Sequence, residues 1–383
     1  MMRNFINIDD LWKSARKRLP RFVFDCIDGA AEDEITLERN RKSFEKVTLR
    51  PRVLVDVSKR NTSTTILGEP VTLPVLLAPI GLTRLASRNG EMAIARAAGR
   101  EGTIFVLSTA SSYSIEEVSS VATKPLWFQL YPCRSREVNT MLVQRAQNAG
   151  YHALCLTVDV QTFGKRERDL RNDITLPPRI TLKKTLEVLR HPQWLYDYVF
   201  GPQLTLKNFV DLKSTSGMSA KALLDYAQHE IDNPSTSWED LAWLRDLWKG
   251  PLVVKGIMTV EAALKALDYG VDGIVVSNHG GRQLDSQPAT ITVLPQIVDA
   301  VGNRAEIFID GGIRRGTDVI KAIALGARAC LIGRPYIFGL AARGEAGVAQ
   351  VLQIFRDEID RTLALIGCRS LAEVDRSTVS LEC

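Results

Sequence analysis

Short runs of consecutive apolar and β-branched residues recur along the chain and predict strands. Eight such runs occur, at residues 73–79, 103–109, 126–131, 153–159, 252–256, 273–278, 306–312 and 329–335. A strand that is solvated on one face alternates apolar and polar residues, whereas a strand buried on both faces is apolar throughout. The pattern therefore predicts a parallel sheet that is covered on both faces.

Helical periodicity separates most of these runs. It is clear over residues 91–99, 261–270 and 318–326, and each of these segments ends in glycine, which commonly terminates a helix. Eight strand–helix units are the number that closes a (β/α)8 TIM barrel, a fold of the α/β class.

One interval between strands, from Asp159 to Leu252, is far longer than the others and indicates an insertion after the fourth strand. We expect a single catalytic domain, 1–383, with the following parts: an N-terminal helical cap at 1–65, barrel units one to four at 66–176, the insertion at 177–237, units five to eight at 238–345, and a C-terminal helix and tail at 346–383.

The insertion carries an aromatic stretch, Trp194–Phe200, with lysine and arginine residues on both sides of it. Apolar and aromatic residues with basic neighbours are what a segment at a membrane surface requires. A solvated flap with a small core of its own fits the same composition. A peripheral membrane contact through 180–235 is therefore one of two interpretations.

Composition places limits on partners and location. The 383 residues are 45% hydrophobic and 24% charged, which argues against disorder. The net charge of +5 is too small, and too evenly spread, to predict a nucleic-acid partner. The six cysteines are scattered without metal-type spacing, the chain start does not resemble a signal peptide, and no apolar run is long enough to span a membrane. We expect no metal site and a cytoplasmic protein.

Polar residues collect where the predicted strands end. In this barrel class the reactive groups lie at the carboxyl ends of the strands. The residues at those ends are Ser108, Gln129, Tyr131, Thr157, Asp159, Lys255, Ser277, Asn278, His279, Asp310 and Arg334. A polar end could simply meet water, but the whole set together predicts a reaction site at the barrel mouth.

The segment Ser277–Gln283, SNHGGRQ, is the most informative of these strand ends. His279 directly follows a buried strand, and a histidine titrates near physiological pH, which suits a general base. Arg282, three residues later, can form a paired hydrogen bond with a carboxylate. The other three histidines, His152, His191 and His229, fall in helical or inserted regions.

Two glycine clusters follow the seventh and eighth strands. They are DGGIRRG at 310–316 and IGRP at 332–335, and each places arginine beside glycine. Exposed backbone N–H groups together with positive charge form the usual phosphate site of this barrel. The ligand is then a phosphorylated cofactor whose reactive ring lies over the mouth.

The chain resembles the FMN-dependent enzymes that oxidise 2-hydroxy acids, most closely the bacterial L-lactate and (S)-mandelate dehydrogenases. SNHGGRQ, DGGIRRG and IGRP occur in the family's order. They are accompanied by LP…AAEDEITLERN, FVLSTAS, WFQLY, TVD…RERD and LVVKGI, so the resemblance covers nearly the whole chain.

The resemblance implies roles for the substrate-binding residues. His279 would take a proton from the substrate 2-hydroxyl or C2, and Asp159 would pair with the resulting imidazolium. Arg166 and Arg282 would bind the substrate carboxylate, and Tyr131 would hydrogen-bond the substrate. Gly81 would leave room beside the ring.

The resemblance also implies FMN as cofactor and a set of residues that bind it. Lys255 would lie near N1 and O2 of the ring, Asp310 would bind the ribityl hydroxyls, and the phosphate would be held by the glycine clusters. The full set is Pro79, Ile80, Ser108, Gln129, Thr157, Lys255, Ser277, Asp310, Gly311, Gly312, Arg314, Gly333 and Arg334. Electrons would pass to a quinone or another carrier, and relatives of this kind form homo-tetramers.

Two positions depart from the family pattern. Cys26 stands where many relatives have a tyrosine that contacts the substrate carboxylate, and Gly81 stands where many have alanine. Both changes enlarge the expected pocket, which favours a bulkier acid over glycolate. L-lactate is the leading substrate; (S)-mandelate or another bulky 2-hydroxy acid is the alternative. An oxygen-using oxidase, a non-redox phosphate-binding barrel and an FMN-binding protein without turnover are further alternatives.

Overall fold

Eight parallel strands form a closed barrel in the computed structural model, which describes residues 5–173, 182–210, 215 and 217–382. The barrel strands are β4 to β11, hydrogen-bonded in chain order, with β11 returning to β4. The predicted (β/α)8 fold is therefore confirmed. Within the residues described, the strands are β1 (Val47–Leu49), β2 (Thr64–Ile66), β3 (Glu69–Val71), β4 (Val75–Leu77), β5 (Phe105–Ser108), β6 (Leu126–Leu130), β7 (Ala153–Thr157), β8 (Leu252–Ile257), β9 (Gly273–Val276), β10 (Glu306–Ile309), β11 (Ala329–Ile332) and β12 (Val379–Leu381).

Helices surround the barrel and cover one end of it. In chain order they are α1 (Ile8–Arg18), α2 (Arg21–Asp28), α3 (Ile35–Lys42), α4 (Gly90–Glu101), α5 (Ile115–Val121), α6 (Arg136–Asn148), α7 (Glu167–Arg171), α8 (Leu182–Leu189), α9 (Pro192–Val199), α10 (Ala220–Ile231), α11 (Trp238–Leu247), α12 (Val260–Asp268), α13 (Thr290–Val301), α14 (Gly316–Ala324) and α15 (Arg334–Leu365).

Two buried layers explain why the strand runs are apolar throughout. Alternate strand residues fill the barrel interior, where the rings of Trp127 and Phe308 meet edge to face at 5.5 Å. The remaining strand residues pack outward against the helices. The β2–β3 hairpin adds Ile66 and Val71 to the interior layer. The backbone N–H of Leu67, in this hairpin, donates a hydrogen bond to the carboxylate of Glu306, at the amino end of β10, at 3.0 Å. The hairpin thus closes the barrel end opposite the catalytic mouth.

One predicted helix end was wrong. Helix α4 does not stop at Gly99 but continues to Glu101, and Gly102, with φ +71°, ends it. Gly99 lies inside the helix because a side chain there would collide with the hydroxyl of Thr123. Close packing, and not helix termination, requires this glycine.

The C-terminal tail contains a strand that the sequence pattern did not predict. Helix α15 is interrupted at Arg343 and Gly344, and the chain beyond it forms β12, which pairs antiparallel with β1. Part of the predicted insertion, residues 177–181, 211–214 and 216, lies outside the described residues. In the remainder, Trp194 of α9 is buried and its indole N–H donates to the Leu85 carbonyl at 2.8 Å.

Candidate active site

A histidine and an aspartate from different strand ends meet at the barrel mouth. Nδ1 of His279 lies 3.0 Å from Oδ1 of Asp159. Asp159 follows β7 and His279 follows β9, so the parallel strands deliver both to the same end of the barrel. His279 has φ +56°, a left-handed conformation that is costly for a non-glycine residue. The fold therefore holds this side chain in a fixed, strained position.

Burial and charge act against each other in this pair. Burial lowers the pKa of His279, and the Asp159 carboxylate partly offsets that effect. Burial acts to raise the pKa of Asp159, but its electrostatic interaction with His279, followed by the charge of Lys255, outweighs burial and leaves that pKa below its ordinary value. At neutral pH the arrangement is a neutral imidazole oriented by an ionised carboxylate, which is what a general base requires.

Lys255, at the end of β8, is enclosed by groups from the neighbouring strand ends. Its ammonium lies 3.3 Å from Oδ2 of Asp310 and donates to the Ser277 hydroxyl at 2.9 Å. Burial acts to lower the pKa of Lys255, but Asp310 and Asp159 raise it overall, so the amine is charged. The Ser277 hydroxyl also accepts from the His279 backbone N–H at 3.1 Å. Ser277 thus positions both Lys255 and His279.

Two guanidinium groups lie together on the other side of the mouth. Arg282 directs Nη1 to the carbonyls of Cys26 and Gly29, at 2.9 and 2.8 Å, so the cap fixes its orientation. The charge of Arg282, followed by burial, lowers the pKa of Arg166 to about 10. No described residue accepts a hydrogen bond from Nε of Arg166, although that atom is buried. The pair is suited to an anionic partner.

Cys26 and Tyr131 complete this side of the site. Burial raises the pKa of the Cys26 thiol, and Asp169 raises it further, while Arg282 and Arg166 act in the opposite direction. Burial also raises the pKa of Tyr131, whose phenol is therefore protonated and able to donate. Asp169, which the sequence interpretation did not single out, lies close enough to influence Cys26 and both arginines.

The expected cofactor residues include buried polar atoms that are left without partners. The Ser108 hydroxyl donates to Oε1 of Gln129 at 3.0 Å. Within the described ranges, Nε2 of Gln129, Oγ1 of Thr157 and Oδ1 of Asp310 are buried and make no hydrogen bond. Buried polar groups are nearly always paired in native proteins. These three atoms therefore fit a polar ligand that lies across the mouth.

A positively charged region lies beyond β10 and β11. Burial lowers the pKa of Arg314 to about 10 and that of Arg334 to about 9, since neither guanidinium has a carboxylate in direct contact among the described residues. Arg334 donates to the carbonyls of Asp28, Gly29 and Gly280. Buried, uncompensated guanidinium groups fit a phosphate.

The glycines of this region have a second structural reason to be glycine. Gly311 and Gly312 have φ +89° and +87°, and a side chain on Gly312 would collide with the Asn40 backbone of α3. Gly333 is less crowded, since a Cβ atom there would meet only Ile80, at 3.4 Å. Cap packing explains the first two glycines as fully as phosphate binding does.

The space that Gly81 leaves open is filled by the next strand's loop. An added Cβ atom at Gly81 would lie 2.8 Å from the Ala110 oxygen and 2.9 Å from the Ala110 Cβ atom. Gly81 therefore permits the loops after β4 and β5 to approach each other. This contact does not support the expectation that Gly81 enlarges the pocket.

Two residues of the SNHGGRQ segment, to which the sequence interpretation gave no individual role, hold the site in position through hydrogen bonds to distant backbone and cap groups. Gln283 donates to the carbonyls of Asp159 and Thr162, both at 3.1 Å, and accepts from the Gly164 N–H. Asn278 exchanges two hydrogen bonds with Asn40 of the cap, at 2.8 and 2.9 Å. Gln283 and Asn278 both belong to the SNHGGRQ segment, but a sequence does not show which distant backbone groups they reach.

Comparison with known proteins identifies the family. The sequence-family model of the FMN-dependent dehydrogenases matches residues 15–381 of this chain. The chain belongs to this family. It is 45% identical to an L-lactate oxidase of Nostoc sp. over 98% of each chain. It is 43% identical to the glycolate oxidase of Spinacia oleracea, over 98% of this chain and 96% of that protein.

A solved structure of a family member supports both the fold and the family assignment. The monotopic membrane protein (S)-mandelate dehydrogenase matches with a TM-score of 0.95 and 42% identity, covering 99% of this chain and 100% of the other. The chain is therefore an FMN-dependent oxidoreductase that acts on CH–OH donors. The unpartnered atoms of Gln129, Thr157 and Asp310 and the buried Arg314 and Arg334 fit FMN at this mouth.

Proposed function

We propose that this enzyme oxidises an L-2-hydroxy acid to the 2-oxo acid, with His279 as the base. The observation that carries the proposal is the presence, at one mouth, of the His279–Asp159 pair and the Arg166–Arg282 pair. A 2-hydroxy acid presents a carboxylate for the two arginines and a proton for the histidine. The relatives named above act on acids of this kind by their names.

The chain's own groups handle the charge and the protons. Arg166 and Arg282 bind the substrate carboxylate, and the Tyr131 phenol donates to a substrate oxygen. Nε2 of His279 takes the proton from the 2-hydroxyl or from C2. Asp159, hydrogen-bonded to Nδ1, stabilises the imidazolium that results. The reaction removes two electrons and two protons from the substrate.

FMN, when bound, accepts the two electrons released at C2. Lys255 would place a permanent positive charge beside the pyrimidine side of its ring, where negative charge develops on reduction. Pro79, Ile80, Ser108, Gln129 and Thr157 would hold the ring. Asp310 would bind the ribityl chain, and Gly311, Gly312, Arg314, Gly333 and Arg334 the phosphate.

L-lactate is the leading substrate. The 45% identity with an L-lactate oxidase supports it. (S)-Mandelate or another bulky acid is the alternative, supported by the solved relative and by Cys26, whose side chain is smaller than a tyrosine beside the two arginines. Because Ala110 fills the space at Gly81, we place the additional room for a bulky substrate side chain at Cys26.

We further propose a quinone or other carrier as electron acceptor and a peripheral contact with the inner face of the cell membrane. Exposed apolar residues of the insertion support the contact: Leu186, Leu189, Tyr196, Val199 and Phe200. No helix in the described part of the chain is both long and apolar enough to cross a bilayer. A homo-tetramer is proposed from the resemblance alone.

An oxygen-using oxidase is the second candidate, since two of the similar proteins are named oxidases.

A single anaerobic experiment tests the main proposal. The yellow protein is mixed separately with L-lactate, (S)-mandelate and glycolate, and the bleaching of the flavin is followed. Rapid bleaching by an L-2-hydroxy acid is expected. A colourless protein would favour the non-redox barrel, and a yellow protein that no acid bleaches would favour a binding protein without turnover. In a second step the reduced protein is mixed with oxygen or with a quinone, and faster reoxidation by oxygen would favour the oxidase.

A further inference from the structure

A buried carboxylate outside the reaction site joins two loops of the barrel mouth. Glu91 lies on the first turn of α4 and is fully buried. Its Oε1 atom accepts the backbone N–H of Thr83 at 3.1 Å and that of Ser112 at 3.0 Å. Thr83 belongs to the loop after β4, and Ser112 to the loop after β5. One oxygen atom therefore fixes the separation of the two loops.

Both loops contain or directly follow residues of the proposed flavin site. The first contains Pro79, Ile80 and Gly81, and the second begins directly after Ser108. Just before the two residues that Glu91 binds, the loops are joined directly: the Leu82 N–H donates to the Ala110 carbonyl at 2.9 Å. Gly81 lies against Ala110 at the same point. The loops thus form one unit, closed at its far end by Glu91.

The first loop is held in a strained conformation. Leu82 has φ +53°, which costs energy in a residue with a side chain. Such a conformation persists only where its surroundings hold it. The Tyr336 hydroxyl holds the start of the loop through the Ala78 carbonyl, at 2.6 Å, and Glu91 holds its end through Thr83.

We propose that Glu91 is a positioning residue that sets the flavin-binding geometry of the loops after β4 and β5. The proposal rests on the proposed function, because it assumes that Pro79–Gly81 and Ser108 contact FMN. Glu91 itself would touch neither FMN nor substrate.

The surroundings of the Glu91 carboxyl group predict different effects for the variants that test this proposal. Burial raises the pKa of Glu91, and the backbone N–H groups of Ser112 and Thr83 oppose this effect. Oε2 of Glu91 and the hydroxyls of Thr83 and Ser112 have no partners among the described residues. In Glu91→Gln the amide oxygen can replace Oε1, so the hydrogen bonds from Thr83 and Ser112 can be kept. Glu91→Asp keeps the carboxyl group but is too short to reach both loops.

Glu101 supplies a matched control on the same helix. It is also a buried carboxylate, but it lies at the other end of α4, where it accepts from Gln353 at 3.2 Å and Arg356 at 2.8 Å. Glu101→Ala therefore removes a buried acid and its hydrogen bonds from α4 without touching either mouth loop.

The experiment dilutes each holoenzyme and measures FMN release by fluorescence, together with the visible circular dichroism of the bound flavin. Glu91→Ala and Glu91→Asp should weaken FMN binding about tenfold or more, the effect of losing two buried hydrogen bonds, and change the dichroism. Glu91→Gln should stay within about threefold of wild type. Glu101→Ala should lower thermal stability and leave both flavin measurements unchanged.

Equal effects of Glu91→Ala and Glu101→Ala on FMN release and on the flavin dichroism would overturn the proposal, since Glu91 would then only stabilise α4. Wild-type FMN affinity in Glu91→Asp would overturn it also, and that variant decides the matter if Glu91→Ala does not fold. A protein that binds FMN but is not reduced by any 2-hydroxy acid would refute the proposed function while leaving this comparison of FMN release valid.

Discussion

Nδ1 of His279 lies 3.0 Å from Oδ1 of Asp159, although 120 positions separate the two residues in the chain. The hydrogen bond leaves Nε2 of His279 as the ring nitrogen that can take a proton from a substrate. It also fixes the ring plane, in addition to the strained backbone of His279. Orientation and charge compensation are therefore separate contributions, and two substitutions can distinguish them.

His279→Gln tests the base. Glutamine keeps a polar side chain at the mouth but cannot take up a proton, so flavin reduction by L-lactate or (S)-mandelate should slow by about 10²–10⁴-fold. FMN should remain bound, because Lys255 and Ser277 keep their own hydrogen bond. Stopped-flow absorbance of the flavin under anaerobic conditions measures the rate. Turnover equal to wild type would remove His279 from the proposed role.

Asp159→Asn tests charge compensation through the pH profile. The base must be neutral, so kcat/KM should fall as pH decreases through the pKa of His279. Burial keeps that pKa below the ordinary value of 6.5, so the fall should begin below it. Without the Asp159 charge the pKa of His279 decreases further, and the acidic limb of the profile moves to lower pH.

The plateau of the Asp159→Asn profile should also fall, by about 10–10³-fold, because the imidazolium that forms during the reaction has lost its counter-charge. Steady-state kinetics between pH 4 and 9 give both quantities. An acidic limb that shifts to higher pH would contradict the assignment.

The sequence pattern predicted the barrel because its strands are buried on two sides, which gives apolar runs that no loop would carry. Lys255 and His279 could be predicted as mouth residues because each ends such a run. Strand β12 could not be predicted: it has only three residues, and it is defined by pairing with β1 more than 300 positions earlier.

Glycines were the least reliable signal. Gly99 is required by Thr123 and Gly81 by Ala110, contacts between segments that lie apart in the sequence. The same limit applies to Gln283, whose position beside His279 was visible but whose bonds to the 159–164 loop were not. In each case the fold determines which distant residue is the partner, and the local sequence pattern does not identify it.

Lys255→Met tests the proposed electrostatic contact with the flavin. The substitution leaves Asp310 buried without its cation, and a single buried charge costs about 3–5 kcal/mol. Weaker FMN binding and slower flavin reduction are expected. Lys265→Met is a suitable control, since Lys265 is an exposed residue of α12 whose ammonium lies over the Trp238 ring, at 5.3 Å, on the outside of the barrel. Fluorescence titration of released FMN measures affinity; equal affinities in the two variants would contradict the prediction.

Gly81→Ala tests whether the loops after β4 and β5 are in close contact. The added Cβ atom would lie 2.8 Å from the Ala110 oxygen, and overpacking of this kind costs about 1–3 kcal/mol. Thermal unfolding of the holoenzyme should show the loss.

The double variant Gly81→Ala with Ala110→Gly should recover part of that stability, because it removes the Cβ atom at 2.9 Å but not the backbone oxygen. If Gly81→Ala is as stable as wild type and lowers only the rate with bulky acids, then Gly81 makes room for the substrate, as expected from the sequence, and the close loop contact is not its main role.

The insertion can be tested for membrane contact without deleting it. Deletion of 180–235 would also remove Trp194, Asn208 and Asn233, which hold the Leu85, Thr109 and Pro132 carbonyls. Replacing the exposed Leu186, Leu189 and Phe200 by serine avoids this damage, because their side chains are 65%, 60% and 66% exposed.

The triple variant should lower binding to anionic phospholipid vesicles at least about tenfold, since each large apolar side chain that enters a membrane contributes about 1.5–3 kcal/mol. Serine at Ile6, Leu365 and Leu381 is the matched control, because these residues are at least 60% exposed, as the three test residues are, but lie outside the insertion. Vesicle co-sedimentation measures binding, and flavin reduction in detergent shows that the site is intact. If both triple variants sediment as the wild type does, the insertion is a solvated flap and the membrane contact is rejected.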